Sequence, residues 1–553
     1  MTQDTAMGFA IDSDPTRWGV SATSVLPAPA RDFLAREVGI ATGRPQPQWD
    51  ELVAPASRLD GDALAGLRAI VGAEHLLVDD GARLRHGGGL SYLDIVARRQ
   101  GAIVPPDAVA LPGSSAEVVR LLAWCEANGV AAVTFGGGTS VVGGLRTGGI
   151  DRPVLAVATT RLDEILDIDE ESRLVRVGAG MTGPRLERLL SPRGLTLGHY
   201  PQSWHRANLG GYAATRSAGQ SSTGYGRSDA MIEGVRVVTP RGEIEVGKVA
   251  ASAAGPDLRG VFLGSEGVFG IITEVLVRVR ARPASSSYTG IIFPDYESGL
   301  TALRGLVQGR VAPDVVRLSD PQETAVTLAM SGPSGRSADV LEKYLGLRKV
   351  SEPCLAILGW DGTRATIGAR RLEAQPALRA AGAVSLGSKV GRAWAHGRFD
   401  GPFLRDLLID EGYLVETLET AAHWSKVPAL RHAVQAALRG SLADGGPGPY
   451  VMCHVSHVYE TSASLYFTVI ARQTDDTADQ WRQAKTAAMD AIVASGGTIT
   501  HHHAVGRDHA PWLADEIGDL GMDVLRAVKS TLDPAWVLNP GALLSEVAPP
   551  ATP

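Results

Sequence analysis

The chain of 553 residues is 44% hydrophobic and 20% charged, which is enough apolar material for large cores and excludes a globally disordered protein. Its formal net charge of −7 excludes the dominant basic surface that nucleic-acid binding needs, so we expect no nucleic-acid partner. Three widely spaced cysteines fit neither a metal site nor a disulfide framework and indicate a reducing compartment, with the cytoplasm as the simplest location.

Residues 1–100 are the first predicted region. Their amphipathic pattern predicts a mostly helical segment, with irregular stretches near Pro27 and Pro45 and no glycine-rich motif. We expect this segment to pack against the rest of the chain or against a partner subunit.

Residues 101–283 form a predicted α+β unit. Short β-rich runs are separated by glycine turns and short helices. The predicted strands are Ala131–Phe135, Val154–Val157, Leu174–Val177, Ile232–Thr239 and Gly270–Val279.

A Gly-Gly-Gly-Thr-Ser loop at residues 136–140 follows the first of these strands. Because its three glycines have no side chains, the backbone N–H groups of the loop can close around a diphosphate. The hydroxyls of Thr139 and Ser140 add hydrogen-bond donors. The loop is not GxGxxG, and Gly143 and Gly144 follow where a Rossmann helix needs helix formers, which disfavours a nicotinamide site. Taken alone, such a loop is more often a simple turn.

Residues 284–507 alternate predicted helices, such as Ser337–Gly346, with predicted strands, such as Cys354–Trp360 and Ser462–Ile470. This pattern predicts a second α+β unit, which we expect to be the substrate cap. Residues 508–553 predict a C-terminal helix ending near Leu532, followed by proline-bounded turns and a tail.

The histidine run at residues 501–503 is the most unusual feature of the second half. If residues 498–505 form a strand, His501 and His503 lie on one face and His502 on the other. No carboxylate or cysteine at metal-ligand spacing is near, so we expect no metal, although His454 and His457 could complete a shell in the fold. The interpretation of these histidines as ordinary buried or surface residues stays open. A role in proton transfer or phosphate binding is favoured, because histidine titrates near neutral pH.

Tyr466, Arg317 and Arg405 are further candidates. In a strand Tyr466 shares one polar face with Ser464 and Thr468, although a tyrosine there is more often structural. With a usual pKa of about 10 it is a poor base unless nearby cations lower that pKa. The forked guanidinium groups suit a phosphate, although such arginines are commonly surface ion-pair residues.

Four motifs in order resemble the FAD domain of the vanillyl-alcohol oxidase and p-cresol methylhydroxylase superfamily: the loop 136–140 and segments 208–211, 215–219 and 264–273. The resemblance implies a PCMH-type FAD-binding domain. In it the loop holds the pyrophosphate, the middle segments lie along the isoalloxazine, and the last segment meets the adenine end. The loop lacks the histidine that links flavin in some relatives, so we expect non-covalent FAD.

The resemblance assigns cofactor contacts to these four motifs and to the segment after His199. The implied FAD-binding residues are Thr134, Phe135, Gly136, Gly137, Gly138, Thr139, Ser140, Pro201, Gln202, Ser203, Asn208, Gly210, Gly211, Ala214, Thr215, Arg216, Ser217, Glu266, Gly267, Val268, Phe269, Gly270, Ile271 and Ile272.

A second set of motifs is similar to the alkylglycerone-phosphate synthase (alkyldihydroxyacetonephosphate synthase) family, over residues 17–544. The segments are 198–203, 225–226, 317–318, 403–406, 465–467 and 500–506, of which the histidine run and the Tyr-Phe pair are the most discriminating. The resemblance implies a homodimer that exchanges the acyl chain of acyl-dihydroxyacetone phosphate for a fatty alcohol, without net redox change.

By the same resemblance, Tyr466 handles the substrate proton, and His501, His502 and His503 assist acid–base steps and phosphate binding. The implied substrate-binding residues are Arg405, Arg317, His199 and Thr417. The chain departs from the family at Tyr200-Pro201-Gln202-Ser203, where an acidic residue followed by Pro-Asp-Ser is usual, and at Thr417, where serine is common. The bulky Trp204-His205-Arg206 segment puts the shape of the substrate in doubt.

Two other functions stay open. One is an FAD-linked dehydrogenase or oxidase of a small 2-hydroxy acid, with a histidine base and an arginine for the carboxylate, and the other is a flavin-binding protein without turnover. No run of about 18 apolar residues is present to span a bilayer. Lipid substrates would therefore enter through an apolar tunnel or by peripheral membrane contact of a cytoplasmic protein.

Overall fold

A computed structural model describes residues 15–18, 26–44, 49–331, 343, 345–348, 350 and 352–545. Its α-helices are Ala28–Glu37, Gly61–Val71, Asp80–Arg85, Tyr92–Arg99, Ser115–Asn128, Gly183–Leu190, Leu209–Thr215, Ser222–Tyr225, Ser228–Met231, Arg259–Phe262, Tyr296–Gln308, Pro321–Ser331, Arg364–Ala380, Ser388–Gly397, Gly401–Asp410, Val427–Ser441, Thr477–Ala494 and Leu513–Leu532.

The strands belong to four sheets. In chain order they are β1 Leu76–Leu77, β2 Ala108–Ala110, β3 Ala131–Phe135, β4 Val154–Ala158, β5 Ile165–Asp169, β6 Leu174–Gly178, β7 Leu195–Thr196, β8 Ile232–Thr239, β9 Gly242–Val246, β10 Ile271–Arg278, β11 Arg280–Ala281, β12 Ser285–Phe293, β13 Val315–Ser319, β14 Cys354–Gly362, β15 Val384–Gly387, β16 Tyr413–His423, β17 Tyr450–Val458 and β18 Ser462–Arg472.

The first half contains a four-stranded sheet of order β1-β2-β4-β3 and a five-stranded antiparallel sheet of order β5-β6-β10-β8-β9. In the smaller sheet β4 runs parallel to both β2 and β3, and its five residues are all buried. The helix Ser115–Asn128 covers this sheet, because Val118, Leu121, Leu122 and Cys125 recur at helical spacing on its buried face.

The second half is built on a seven-stranded antiparallel sheet of order β15-β12-β14-β13-β17-β18-β16. In β18 the side chains of Leu465, Phe467 and Val469 enter the main apolar core, where the helices Val427–Ser441 and Thr477–Ala494 also pack. Alternate residues of β18 therefore point to the opposite face, which faces a cavity.

The α+β class and the helical terminal segments predicted from the sequence are confirmed. Strands β3 and β8 have the predicted bounds, and β4, β6, β10, β14 and β18 differ from them by one or two residues at their ends. The predicted helix Ser337–Gly346 lies largely outside the described residues. Among the described residues, none of the helices is long and apolar enough to cross a membrane.

One local prediction was wrong. Residues 498–505 form no strand, so His501, His502 and His503 do not alternate between two faces. They form a tight turn instead, whose backbone N–H groups converge on one buried carboxylate.

Candidate active site

One large cavity lies between the two halves of the chain, and three groups of residues line it. We call the first the glycine cradle, formed by residues 136–140 after β3 and by Gly144. The second, the histidine pocket, consists of Arg405, Thr417, His454, Tyr466, His502 and His503. The third, the apolar arm, is lined by Leu26, Ala30, Phe33, Leu34, Val326, Leu404, Leu408, Val415, Met452 and Ile470.

The four glycines of the cradle have no room for a Cβ atom. A Cβ atom on Gly137 would overlap the backbone carbonyl oxygen of Arg206, and one on Gly136 would lie 2.6 Å from Asn208 Oδ1. A Cβ on Gly144 would lie 2.7 Å from Glu266 Oε1. Thr134, near the end of β3, lines the same space, and its buried hydroxyl has no hydrogen-bond partner among the described residues. A backbone cradle with an unpartnered hydroxyl fits a diphosphate-bearing cofactor.

Most of the residues predicted to bind cofactor line this cavity. They are Thr134, Gly136, Gly137, Gly138, Thr139, Ser140, Pro201, Gln202, Ser203, Asn208, Gly210, Gly211, Ala214, Thr215, Ser217, Glu266, Gly267, Gly270 and Ile272. The cavity thus brings together segments that are distant in the chain. For example, Thr134 and Gly267 lie side by side, so that a Cβ atom added to Gly267 would be 3.0 Å from the Thr134 hydroxyl.

The structure places the other five outside the lining. Val268, Phe269 and Ile271 are fully buried in apolar cores. The Phe135 ring packs beneath the cradle, 4.4 Å from the His86 ring. The Arg216 guanidinium donates to the carbonyl oxygens of Leu263 and Gly260, so it holds the 260–264 turn.

Replacing Gly137 by alanine should lower the affinity for the cofactor by about 10- to 100-fold. The new methyl group meets backbone atoms of Arg206 and Ala207 that cannot rotate away, and such overpacking costs about 1–3 kcal/mol. The flavin-to-protein absorbance ratio after gel filtration measures the effect. In Gly440→Ala, which alters an open position in a helix, that ratio should stay at the wild-type value, and an unchanged ratio in Gly137→Ala would contradict the assignment.

Glu266 lines the cavity beside the cradle and joins it to the histidine segment. Its Oε2 atom accepts hydrogen bonds from the backbone N–H groups of Val505 and Gly506, at 3.1 and 2.7 Å. Burial raises the pKa of Glu266 to about 7, although these two N–H groups act in the opposite direction. Close to neutral pH this side chain can therefore both accept and donate a hydrogen bond.

Tyr466 lies at the centre of the histidine pocket. Its ring stacks 5.0 Å from the His454 ring, and the His503 ring meets it edge-on at 5.5 Å. Burial raises the pKa of Tyr466 to about 12, although a hydrogen bond with Thr417 and the charge of Arg405 oppose the shift. The charge of Arg405 does not bring this pKa below its usual value, because desolvation of the phenolate outweighs it.

The histidine turn is anchored by Glu419 of β16. Its Oε1 atom accepts from the backbone N–H groups of His501, His502 and His503, at 2.9 to 3.0 Å, and from the Thr500 hydroxyl at 2.7 Å. Burial alone would raise the pKa of Glu419, but the neighbouring histidines hold it well below its usual value. An ionised, buried carboxylate thus fixes the backbone that presents His502 and His503 to the cavity.

Glu419, His501 and His502 also bring three potential metal-ligand atoms within 4.8 Å of one another. We interpret Glu419 as the anchor of the turn, because its Oε1 atom already accepts four hydrogen bonds. The expectation of no metal stays a prediction.

Replacing Glu419 by glutamine should lower the free energy of unfolding by about 2–4 kcal/mol. The amide NH₂ group would face N–H donors, and the charge that these donors stabilise would be lost. The pKa of Glu419 is lowered in the folded state. Its contribution to the free energy of unfolding is therefore fully present at any pH above the usual glutamate pKa, and it is lost only as the pH falls well below that pKa. The loss measured by denaturant unfolding should therefore be similar at about pH 5 and about pH 8.

The control for this prediction is Glu460→Gln, at the exposed hairpin between β17 and β18, which should change stability by less than about 0.5 kcal/mol. Equal stabilities of Glu419→Gln and the wild type would contradict the anchoring role.

Arg405 lines the cavity and has hydrogen-bond donors that its neighbours do not use. Its Nη1 atom donates to the Leu90 carbonyl oxygen at 3.0 Å and lies 3.8 Å from Glu416 Oε2. Within the part of the chain that the structure describes, the buried Nε and Nη2 atoms have no hydrogen-bond partner. Buried unpartnered donors are costly, so a bound acceptor group is the natural partner for this guanidinium.

Arg317 is held differently, by an ion pair with Glu323. Glu323 in turn lies 3.1 Å from His454 Nδ1. Burial alone would raise the pKa of Glu323, but Arg317 and then His454 lower it to about 2. Arg317, which lines the cavity, is therefore already neutralised and positions Glu323 and His454 beside Tyr466.

Two predicted site residues lie behind the cavity wall. His199 is 1% exposed, and its Nε2 atom bonds the hydroxyl of Ser217, which does line the cavity, at 2.7 Å. His501 lies behind His502, with 3.0 Å between their Nδ1 atoms. Either residue can reach a ligand only through its neighbour.

Sequence reasoning missed several residues of the site. Glu323 and Glu419 were not singled out. The N-terminal segment was expected only to pack against the rest of the chain or a partner subunit, yet Ala30, Phe33 and Leu34 of its helix line the apolar arm. The pairing of His454 with Tyr466 across β17 and β18 is the kind of signal that alternation along both strands could have revealed.

Comparison with known proteins agrees with this layout. The FAD binding domain model matches residues 106–247, and the model of the C-terminal domain of FAD linked oxidases matches residues 282–543. The chain is 33% identical to alkyldihydroxyacetonephosphate synthase of Trypanosoma brucei brucei over 489 residues, which is 86% of this chain and 80% of that protein. A solved alkyldihydroxyacetonephosphate synthase structure superposes with a TM-score of 0.80 at 29% identity, covering 93% of this chain and 92% of that one.

A p-cresol methylhydroxylase structure superposes with a TM-score of 0.65 at 16% identity, covering 89% of this chain and 99% of that one, and shows the fold alone. The predicted PCMH-type architecture is confirmed by these matches.

Proposed function

The chain is an FAD-dependent enzyme that belongs to the alkyldihydroxyacetonephosphate synthase family, and we propose that it exchanges the acyl chain of acyl-dihydroxyacetone phosphate for a fatty alcohol. The exchange releases the fatty acid and forms an alkyl ether, without net electron transfer. One observation carries the proposal: a single cavity joins the glycine cradle, the histidine pocket and the apolar arm.

FAD fits the glycine cradle and the walls beside it. Residues 136–140 and Gly144 would hold the diphosphate, with the Thr134 hydroxyl as an additional donor, and Glu266 and Gly267 would lie beside the cofactor. When bound, FAD would supply an electron-poor ring that can accept and return an electron pair. We propose that it is held non-covalently, so acid precipitation of the protein should release it into the supernatant.

The apolar arm suits a long hydrocarbon chain. Leu26, Phe33 and Leu34 of the N-terminal segment line it together with Leu408 and Met452. Each buried CH₂ group contributes about 0.8 kcal/mol, so about ten of them would contribute roughly 8 kcal/mol before entropy losses.

The histidine pocket suits the reacting end of the same substrate. Arg405 would bind the phosphate through Nε and Nη2, for which no described residue is a hydrogen-bond partner. Tyr466 would hold a proton beside the substrate carbon, and His502 and His503 would take part in its transfer. Burial keeps the pKa of His503 at about 3, so this ring is neutral and able to accept a hydrogen bond.

An FAD-linked dehydrogenase of a small 2-hydroxy acid is the second candidate, and it would use the same cradle, a histidine and Arg405. Such a substrate would leave the apolar arm unfilled, which favours the lipid substrate.

A direct assay separates the two functions. The purified flavoprotein is mixed anaerobically with acyl-dihydroxyacetone phosphate and a fatty alcohol, and alkyl ether and free fatty acid are measured without any electron acceptor. Equimolar ether and acid are expected. Bleaching of the flavin by 2-hydroxy acids, with no ether formed, would overturn the proposal in favour of the dehydrogenase.

We also propose a homodimer located in the cytoplasm with peripheral membrane contact, since long-chain substrates partition into bilayers. Light scattering should give twice the monomer mass of 58.0 kDa. Co-sedimentation with phosphatidylcholine vesicles that contain a fatty alcohol tests the membrane contact.

A further inference from the structure

The chain of hydrogen bonds from His502 through His501 to Tyr459 connects the cavity to the protein surface. Tyr459 Oη lies 2.7 Å from His501 Nε2, and His501 Nδ1 lies 3.0 Å from His502 Nδ1. His502 lines the cavity, whereas Tyr459 is partly exposed beside Glu460 in the hairpin between β17 and β18. We propose that Tyr459, His501 and His502 form a proton relay that carries the product proton away from the reacting end of the cavity.

The proposed function creates the need for such a path, and the relay rests on that function. In the exchange, the bond between C1 of the dihydroxyacetone phosphate and the acyl oxygen breaks, and a bond between C1 and the oxygen of the fatty alcohol forms. The fatty acid leaves as a carboxylate, since carboxylic acids have pKa values of about 4 to 5. The hydroxyl proton of the fatty alcohol is therefore left over in every turnover, with no electron gained or lost overall.

The bonding of the rings suits proton transfer in a row. In the hydrogen bond between the two Nδ1 atoms, one histidine donates and the other accepts. The imidazole of His501 can therefore receive a proton on Nδ1 and release one from Nε2. His501 would pass its Nε2 proton to the Tyr459 oxygen while the Tyr459 hydroxyl releases its own proton to water.

The groups around His501 keep its ring neutral and in place. Burial lowers the pKa of His501 well below its usual value, with the His457 ring 5.2 Å away acting in the same direction and Glu419 opposing both. The Arg227 guanidinium donates to the His501 carbonyl oxygen at 2.8 Å and is itself paired with Asp229. Burial raises the pKa of Tyr459 to about 12, with Arg227 opposing, so the Tyr459 hydroxyl keeps its proton at rest.

Removing the hydroxyl of Tyr459 tests the relay without disturbing the fold. The backbone of Tyr459 stays fixed by its N–H bond to the Ser462 carbonyl and by the Trp424 indole, which donates to the Tyr459 carbonyl. In weakly buffered solution Tyr459→Phe should lower kcat for ether formation by about tenfold, with KM for both substrates unchanged. Added imidazole, a small proton acceptor, should restore kcat in the variant and leave the wild type unaffected.

Tyr450→Phe is the matched control. It removes a hydroxyl that donates to the Gln322 carbonyl oxygen at 3.0 Å, away from the histidine turn, so kcat and its dependence on imidazole should equal those of the wild type. A wild-type kcat in Tyr459→Phe, or a loss that imidazole does not reverse, overturns the relay. Absence of ether formation in the wild type itself overturns the proposed function and the relay with it.

Discussion

Replacing Tyr466 by phenylalanine should lower kcat for ether formation by about 100- to 10,000-fold while the protein keeps its flavin and its stability. The Tyr466 ring stays packed between His454 and His502 without its hydroxyl, so the loss reports the hydroxyl alone. General acid–base groups contribute factors of this size.

The pKa of Tyr466 limits which role its hydroxyl can have. Because burial raises that pKa to about 12, the phenol is protonated throughout the neutral range. It therefore cannot remove a proton alone and must give up its own to a neighbour such as His503 in the same step. The neutral phenol is lost only as the pH rises through about 12, so no decline of kcat assigned to Tyr466 should appear between about pH 7 and about pH 10.

Tyr413→Phe provides the control for this experiment. Its hydroxyl donates to the Gly39 carbonyl oxygen, on the same sheet as Tyr466 and outside the cavity lining. Ether formation by Tyr413→Phe should equal that of the wild type. Full activity of Tyr466→Phe would remove Tyr466 from the proton-transfer step and leave the flavoprotein assignment intact.

The elements of the fold that the sequence predicted well are those with strong local patterns. Strand β3 is a mostly apolar run, β8 is rich in valine and isoleucine, and turn residues follow both, so local sequence alone predicts an extended backbone at each. The domain boundaries at residues 100, 283 and 507 stay a prediction, because the contacts between segments do not test where one unit ends.

The site was harder to predict, because its geometry depends on pairs that are distant in sequence. Alternation predicted a strand at residues 498–505, but Glu419, 82 residues before His501, bends that backbone into a turn. Arg17 and Asp410 are 393 residues apart, and their ion pair brings the N-terminal segment to the cavity. Arg317 and Glu323 are close in sequence, but their ion pair depends on the angle between β13 and the helix Pro321–Ser331 that follows it.

The resemblance to a family supplied what periodicity could not. It predicted one pocket for Tyr466, Arg405, Arg317, His199 and the histidine run at residues 501–503. All of these line the same cavity except His199 and His501, which lie behind its wall. Their chemical roles stay predictions, because position alone does not identify the group that moves a proton.

Replacing Arg405 by methionine should lower kcat/KM for acyl-dihydroxyacetone phosphate by about 100-fold or more. Two charge-assisted hydrogen bonds from Nε and Nη2 to a phosphate would be lost, at about 1.5 kcal/mol or more each. The same change also leaves the buried carboxylate of Glu416 without its cation, so a fall in activity alone could reflect a damaged fold.

The double variant Arg405→Met/Glu416→Gln separates these two effects. Burial already raises the pKa of Glu416 while Arg405 opposes the shift, so a neutral glutamine is the form that fits a pocket without the arginine. The amide oxygen of the introduced glutamine would still accept from the backbone N–H of Tyr92 or Thr417, and thermal unfolding should show recovered stability. Activity should not recover.

The wild type should prefer the phosphorylated substrate over acyl-dihydroxyacetone by about 100-fold, and both variants should lose that preference. If they retain it, the phosphate is bound elsewhere in the cavity, and Arg405 is only the partner of Glu416.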